Sequence, residues 1–312
     1  MTAAAIRRPT LSHRAQYAAI RGAVGTLDLF GFRGASRVGA WLGGLGYRPL
    51  GIRRGVVERQ IRAAFPDWTS ARVTEVARAA YRSLGRTFVE TAVLPSYSRD
   101  QVLGLFERVE NWEAIERARA LGRGVIVLTG HIGNWELGGA YIAARGMPLD
   151  AVARGMENPL FDAYLTRTRR RIGMNVVHDA DAVREVPRAL RAGRAVAFLF
   201  DQGAVGLAST WVPFFGRMAK TPRGPAVFAL RLGAPMVFGA AIRQPSGRFA
   251  ISFEPVETVR TGDREADVDA MVAAYTGVLE RWVRRVPDQY FWHHRRWKHQ
   301  RPGTPPELGD PS

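Results

Sequence analysis

Gly124-Val125-Ile126-Val127-Leu128-Thr129-Gly130-His131-Ile132-Gly133-Asn134-Trp135-Glu136-Leu137-Gly138-Gly139 is an apolar, β-branched run that dissolves into glycines around a single histidine. Such a run reads as a strand buried on both faces. Gly130 and His131 end it, and a helical stretch begins near Asn134. Downstream, residues 151–153, 175–177, 195–200, 235–242 and 249–253 also read as strands. Residues 112–121, 159–171, 182–191 and 222–232 read as helices. Val268, Met271, Val272, Tyr275, Val278, Leu279, Trp282 and Val286 make a long amphipathic stripe. Strands that alternate with helices predict an α/β fold whose central, mainly parallel sheet is flanked by helices.

Upstream of this region the pattern is helical. Residues 1–15 read as a loose basic tail and residues 16–110 as mostly helix. Val57, Ile61 and Phe65 fall four apart on one face; Pro66 breaks the pattern; Thr69 or Ser70 caps a second helix over 72–93. Residues 24–47 hold Leu27, Leu29, Phe30, Phe32, Val38, Trp41, Leu42 and Leu45, interrupted by Asp28, Arg33 and Arg37. The charges argue against a membrane span, which needs about 20 mostly apolar residues. Two readings stand: a segment lying in a membrane interface, or a pair of core helices. No signal peptide is evident after Arg7 and Arg8. No linker separates the regions, so one composite domain is expected: a helical N-terminal region (1–110) packed on an α/β core (111–300), with a tail (301–312).

The chain has 312 residues, 46% of them hydrophobic, enough for a sizeable core. It has no cysteine, which excludes disulfides and thiolate chemistry. Its 45 basic and 28 acidic residues leave a net charge of +17. That excess implies an anionic partner: nucleic acid, an anionic membrane surface or a phosphorylated substrate.

His131 follows directly on a strand, and in α/β sheets ligands gather at the carboxyl ends of strands. Glu136 lies five residues on. On one helix that spacing would not share a face. With His131 in the turn and Glu136 in the first helical turns, the carboxylate can bond one imidazole nitrogen and fix its tautomer. No Ser or Cys nucleophile is needed if an acceptor hydroxyl attacks directly.

The segment resembles the His-x4-Asp/Glu signature of the lysophospholipid acyltransferase superfamily. More narrowly, the chain resembles the late acyltransferases of lipid A biosynthesis, of lauroyl and myristoyl type. Four further stretches agree in order: Ala153 to Asp162, with Arg154 and its Asn158-Pro159 step; Phe200-Asp201-Gln202-Gly203; Val212-Pro213-Phe214-Phe215-Gly216 followed by Thr221; and Pro287-Asp288-Gln289-Tyr290 through His293-His294-Arg295-Arg296-Trp297-Lys298. Asp288 replaces a more usual Glu and Trp297 a more usual Phe. The resemblance covers roughly residues 50–300.

The resemblance implies that His131 is the general base and Glu136 its partner, and that an acyl chain passes from an acyl carrier protein or CoA thioester to a hydroxyl of a lipid A precursor or related glycolipid. It implies no cofactor beyond that donor. Expected oxyanion donors are the backbone N–H groups of Gly133 and Asn134, or Arg154. Arg154, Asn158, Asp201, Gln202, Arg295 and Arg296 are the expected substrate contacts; Asp201 is read as orienting the head group, bonding Arg154 or capping a helix. Phe214 and Phe215 are expected to line an acyl channel or to fill core. The expected location is the cytoplasmic face of the inner membrane, peripheral or shallowly inserted.

His293, His294 and His299 sit among Arg295, Arg296 and Lys298, so no metal site is expected. Aromatics alternating with cations there suit an anionic membrane surface or single-stranded nucleic acid. A non-enzymatic basic binding protein would explain the charge but not the strand, His-x4-Glu and helix arrangement, so no nucleic-acid partner is expected.

Overall fold

The computed structural model describes residues 9–203 and 208–311. Five helices come first: α1 (Leu11–Asp28), α2 (Gly31–Tyr47), α3 (Arg54–Ala64), α4 (Ser70–Val93) and α5 (Arg99–Gly104). Strands and helices then alternate: β1 (Phe106–Glu110), α6 (Trp112–Ala120), β2 (Val125–Thr129), α7 (Trp135–Ala144), β3 (Leu149–Ala153), α8 (Pro159–Arg171), β4 (Met174–His178), α9 (Ala182–Arg191) and β5 (Ala195–Leu199). A hairpin of β6 (Ser209–Phe214) and β7 (Arg217–Pro222) precedes α10 (Gly224–Leu232), β8 (Met236–Arg243), β9 (Phe249–Val256) and α11 (Arg264–Arg285).

Seven strands form one sheet in the order β1-β9-β8-β2-β5-β3-β4. Every neighbouring pair is parallel except β8 with β9. The expected α/β architecture is therefore present. The central strands read as unbroken apolar runs because both faces are covered. Ile126, Leu128, Val196 and Phe198 join a core with α3, α4, α9, α10 and α11. Val125, Val127, Ala195 and Ala197 join a second core with α1, α2, α5, α6 and α7 on the other face.

Three elements differ from the sequence reading. Residues 106–110 are not the end of the helical region but β1, an edge strand on β9. Only Phe106 of it is buried, so no apolar alternation marks it. Helix begins at Leu11, within the stretch read as a tail, because Thr10 accepts from the His13 N–H and the His13 ring accepts from Thr10, a closed capping box; residues 1–8 lie outside the described residues. The third is the β6–β7 hairpin, whose turn places Phe215 at φ 52° and Gly216 at φ 71°. That two-residue turn matches strand twist but normally takes Asn or Gly, so Phe-Gly gives no hairpin signal.

The N-terminal helices are fastened to the core. Thr69 caps α4, as one of the two expected residues, by accepting from the Arg72 N–H. Helices α2 and α4 meet backbone to backbone: a Cβ on Gly39 would lie 2.5 Å from the Gly85 carbonyl oxygen, and one on Gly43 2.1 Å from that of Tyr81. Among the described residues, no helix is long and apolar enough to cross a membrane.

Candidate active site

His131 stands two residues beyond the end of β2, and Asp201 two residues beyond the end of β5. These strands are parallel neighbours, with Thr129 opposite Leu199. The register therefore brings His131 and Asp201 face to face at the carboxyl edge of the sheet. Asp201 Oδ1 lies 2.7 Å from His131 Nδ1, and Oδ2 accepts the His131 main-chain N–H at 2.9 Å. One carboxylate thus holds both the backbone and the ring of the histidine. Asp201 is only 2% exposed. Burial would raise its carboxyl, but the His131 ring and N–H, with Arg296 behind them, hold it below the usual carboxylate range.

A carboxylate on Nδ1 places the proton there and leaves Nε2 as the basic nitrogen. The ring is fixed further by Trp135, edge-on at 4.8 Å between centroids, and by Phe291 at 5.7 Å. It lines a narrow cleft with Ser83, Leu84 and Thr87 of α4 and with Gln289 and Phe291.

Glu136 does not fill the place expected of it. Asn134 caps α7 by accepting the Leu137 N–H at 2.9 Å, so the helix begins at Trp135 and Glu136 falls in its first turn. From there its carboxylate meets Arg169 of α8 in a two-pronged pair at 2.5 and 3.1 Å. The partner of His131 is Asp201, and Glu136 joins α7 to α8. Arg169 sits within an undifferentiated run of arginines, 169–171, and only the packing of α8 shows which of them faces Glu136.

The backbone donors also differ. The Gly133 N–H is engaged by the Gln289 carbonyl and the Asn134 N–H by the Ala241 carbonyl, both at 2.9 Å. Neither is available to an oxyanion. Gly133 has φ 59°, and a Cβ there would stand 2.1 Å from the Ala241 oxygen. Among the described residues, Trp135 and Glu136 carry the first N–H groups of α7 without a partner in the chain.

The C-terminal block acts as a brace. Gln289 accepts from the Arg243 N–H and donates to the Arg243 carbonyl; Ile132 bridges Tyr290; and the Phe291 N–H donates to the His131 carbonyl at 2.9 Å. A buried polar group lies beneath: Glu90 accepts from Asn134 and pairs with Arg243. The sequence reading missed Glu90, Arg243 and Trp135, because no spacing links α4, β8 and α7.

Of the expected substrate contacts, Arg154 and the partly buried Gln202 lie at the carboxyl edge. Arg154 follows β3, is largely exposed and pairs with Asp179 at 3.4 Å, not with Asp201. Asn158 instead caps α8 by accepting the Leu160 N–H, and it ties α8 to α1 by donating to the His13 carbonyl. Arg295 pairs with Asp310. Arg296 is internal: it is 4% exposed and donates to the Lys220 carbonyl and the Thr221 hydroxyl. Phe214 and Phe215 are core, packed on each other and on Tyr290, Trp297, Phe65 and Trp292. An apolar cleft exists elsewhere, beneath α7, lined by Trp135, Gly139, Ile142, Met174, Leu199 and Phe253. His293, His294 and His299 do not meet as a cation site; among the described residues no cluster could hold a metal ion.

A mainly parallel sheet with a carboxylate-held histidine at its carboxyl edge, beside an apolar cleft, is compatible with an acyl-transfer enzyme. Residues 9–299 match the family described as bacterial lipid A biosynthesis acyltransferase, and the chain belongs to that family. It is an acyltransferase. It is similar to the lipid A biosynthesis palmitoleoyltransferase of Escherichia coli (strain K12), with 28% identity over 265 residues, covering 84% of each chain. With the lauroyltransferase of the same organism it shares 27% over 271 residues, covering 86% of this chain and 87% of that one. With the phosphatidylinositol mannoside acyltransferase of Mycobacterium tuberculosis (strain ATCC 25618 / H37Rv) it shares 25% over 164 residues, about half of each chain.

Proposed function

We propose that the chain transfers a fatty acyl group from an acyl carrier protein or CoA thioester to a hydroxyl of a lipid A precursor or closely related glycolipid, with His131 as general base and Asp201 as its orienting carboxylate. The observation that carries the reading is the paired contact of Asp201 with the ring and the backbone of His131. His131 Nε2 takes the proton of the acceptor hydroxyl as its oxygen attacks the thioester carbonyl. A C–O ester bond forms, the C–S bond breaks, and the imidazolium returns the proton to the departing thiolate. General-base help of this kind is worth roughly 10²–10⁴-fold. The oxyanion lies toward the free N–H groups of Trp135 and Glu136 at the positive end of α7. The acyl chain enters at the cleft beneath α7, which is lined mostly by apolar side chains and, at about 50 Å³, has to widen to take the whole chain. Glu136 acts through Arg169, holding α7 and α8 in register.

The breadth of similarity to the two lipid A enzymes, against half coverage for the mannoside enzyme, favours a lipid A precursor as acceptor. The enzyme works as a peripheral protein on the cytoplasmic face of the inner membrane. Leu29, Phe30, Trp41 and Leu42 expose apolar side chains on α2 and its entry, beside Arg33 and Arg37. Apolar side chains rimmed by cations suit an anionic bilayer surface.

The test is acyl transfer from a radiolabelled acyl thioester to a purified lipid A precursor, by the full chain and by His131→Ala. The reading expects at least a hundredfold loss with vesicle binding retained. Undiminished transfer by His131→Ala removes the mechanism. Mass spectrometry of host glycolipids with and without the gene separates lipid A from other acceptors.

A further inference from the structure

A second cavity, of about 330 Å³, lies away from His131, between α1, the turn at Leu94–Ser96 and α8. Three guanidiniums line it: Arg21 from α1, and Arg167 and Arg171 from α8. None of the three forms an ion pair among the described residues. The one carboxylate in the wall, Asp28, accepts the Ser96 hydroxyl at 2.6 Å on one oxygen. The charge count is three cations against one anion, an excess of two. At the base, the Tyr164 side chain is 8% exposed, and its hydroxyl makes no hydrogen bond of normal geometry. Arg21 lies over that ring, 4.5 Å from the centroid.

The three arginines are exposed and solvated, and beneath them the buried Tyr164 hydroxyl has only a weak contact with Arg21, a polar group that a ligand oxygen would satisfy. Guanidinium forks match phosphate oxygens two at a time, and two surplus positive charges match a doubly charged phosphate monoester. Next to Asp28 in the chain, Leu29 and Phe30 are exposed apolar side chains, at 84% and 64%.

We propose that this cavity binds a phosphate monoester dianion, with Arg21, Arg167 and Arg171 as its ligands. It is separate from the acyl-transfer centre: Arg169, which pairs with Glu136, points off another side of the same helix. Two sources share this chemistry, the head group of a phosphomonoester lipid and free phosphate.

The experiment compares the full chain with Arg21→Gln/Arg171→Gln and with Arg21→Lys/Arg171→Lys. The first measurement is flotation on phosphatidylcholine vesicles carrying phosphatidate, or phosphatidylglycerol at matched surface charge. The second is thermal stabilisation by inorganic phosphate alone. A preference for phosphatidate that falls at least about tenfold in the Gln variant supports the lipid source. The Lys variant, which keeps charge without the fork, is expected to fall between. Stabilisation by inorganic phosphate that disappears in the Gln variant, without lipid discrimination, supports free phosphate. Absence of both effects overturns the proposal, as does finding them unchanged in the Gln variant. Melting curves without ligand show whether each variant is folded, and neither measurement depends on acyl transfer.

Discussion

Asp201 holds His131 by two bonds at once, Oδ1 to the ring Nδ1 at 2.7 Å and Oδ2 to the main-chain N–H at 2.9 Å. The carboxylate sets the tautomer, and it also sets where the loop carries the ring. Asp201→Asn keeps the shape but offers an amide N–H to one of these contacts. We expect transfer to fall by at least about 10²-fold, mainly in kcat. A variant with near-normal kcat would remove Asp201 from the mechanism.

Glu136 and Arg169 are expected to behave as a structural pair. Their side chains are 19% and 16% exposed, so the contact is partly shielded. Glu136→Gln and Arg169→Gln should each lower both stability and activity, and the double variant should lose less than the sum. A double-mutant cycle on melting free energy is expected to show coupling of about 0.5–3 kcal/mol. Full additivity would mean that the two helices are joined by other contacts.

Acid should destabilise the fold before it reaches the carboxylates. Burial pushes His293 and His294 down to about 4. The unfolded chain titrates its histidines near 6.5, so between those values it binds more protons than the native state. Stability is therefore complete above about pH 6.5 and declines as the pH falls toward 4, by up to about 1.4 kcal/mol per pH unit for each ring. Asp201, held low, adds a further loss only below about pH 4. His293→Phe, which keeps a ring against Tyr81 and Phe291, should remove about half of the decline in a series of thermal melts. A slope that stays the same would point to other groups.

Gly133→Ala should be severe. Its backbone is left-handed, and the new methyl would meet the Ala241 oxygen at 2.1 Å. A loss of about 3 kcal/mol or more is expected from denaturant unfolding. The control Gly146→Ala has no atom within 4 Å of its added methyl, so it reports the cost of left-handed backbone alone.

Trp41→Gln with Leu42→Gln should weaken vesicle binding by roughly 10–100-fold, since an apolar side chain contributes about 1.5–3 kcal/mol when fully buried and these two enter an interface only in part. Both are exposed on α2, so melting temperature should hold. Unchanged flotation would place the membrane face elsewhere.

Local physics made much of this molecule legible in its sequence. The apolar run 125–129 had to be a strand covered on both sides, and Thr69 and Asn134 had the side chains to open helices. The order of strands and helices after residue 110 implied the parallel sheet, and the histidine after a strand marked its working edge. Tertiary structure alone decided which carboxylate serves that histidine. Glu136 was near in sequence, but the Asn134 cap turned it toward Arg169. Asp201, 70 residues away, arrived through the register of β2 on β5. Phe214 and Phe215 went to the core, and Arg296 became internal, for the same reason. Spacing along a chain fixes what lies on one face of one element; which faces meet is fixed by packing between elements far apart in sequence.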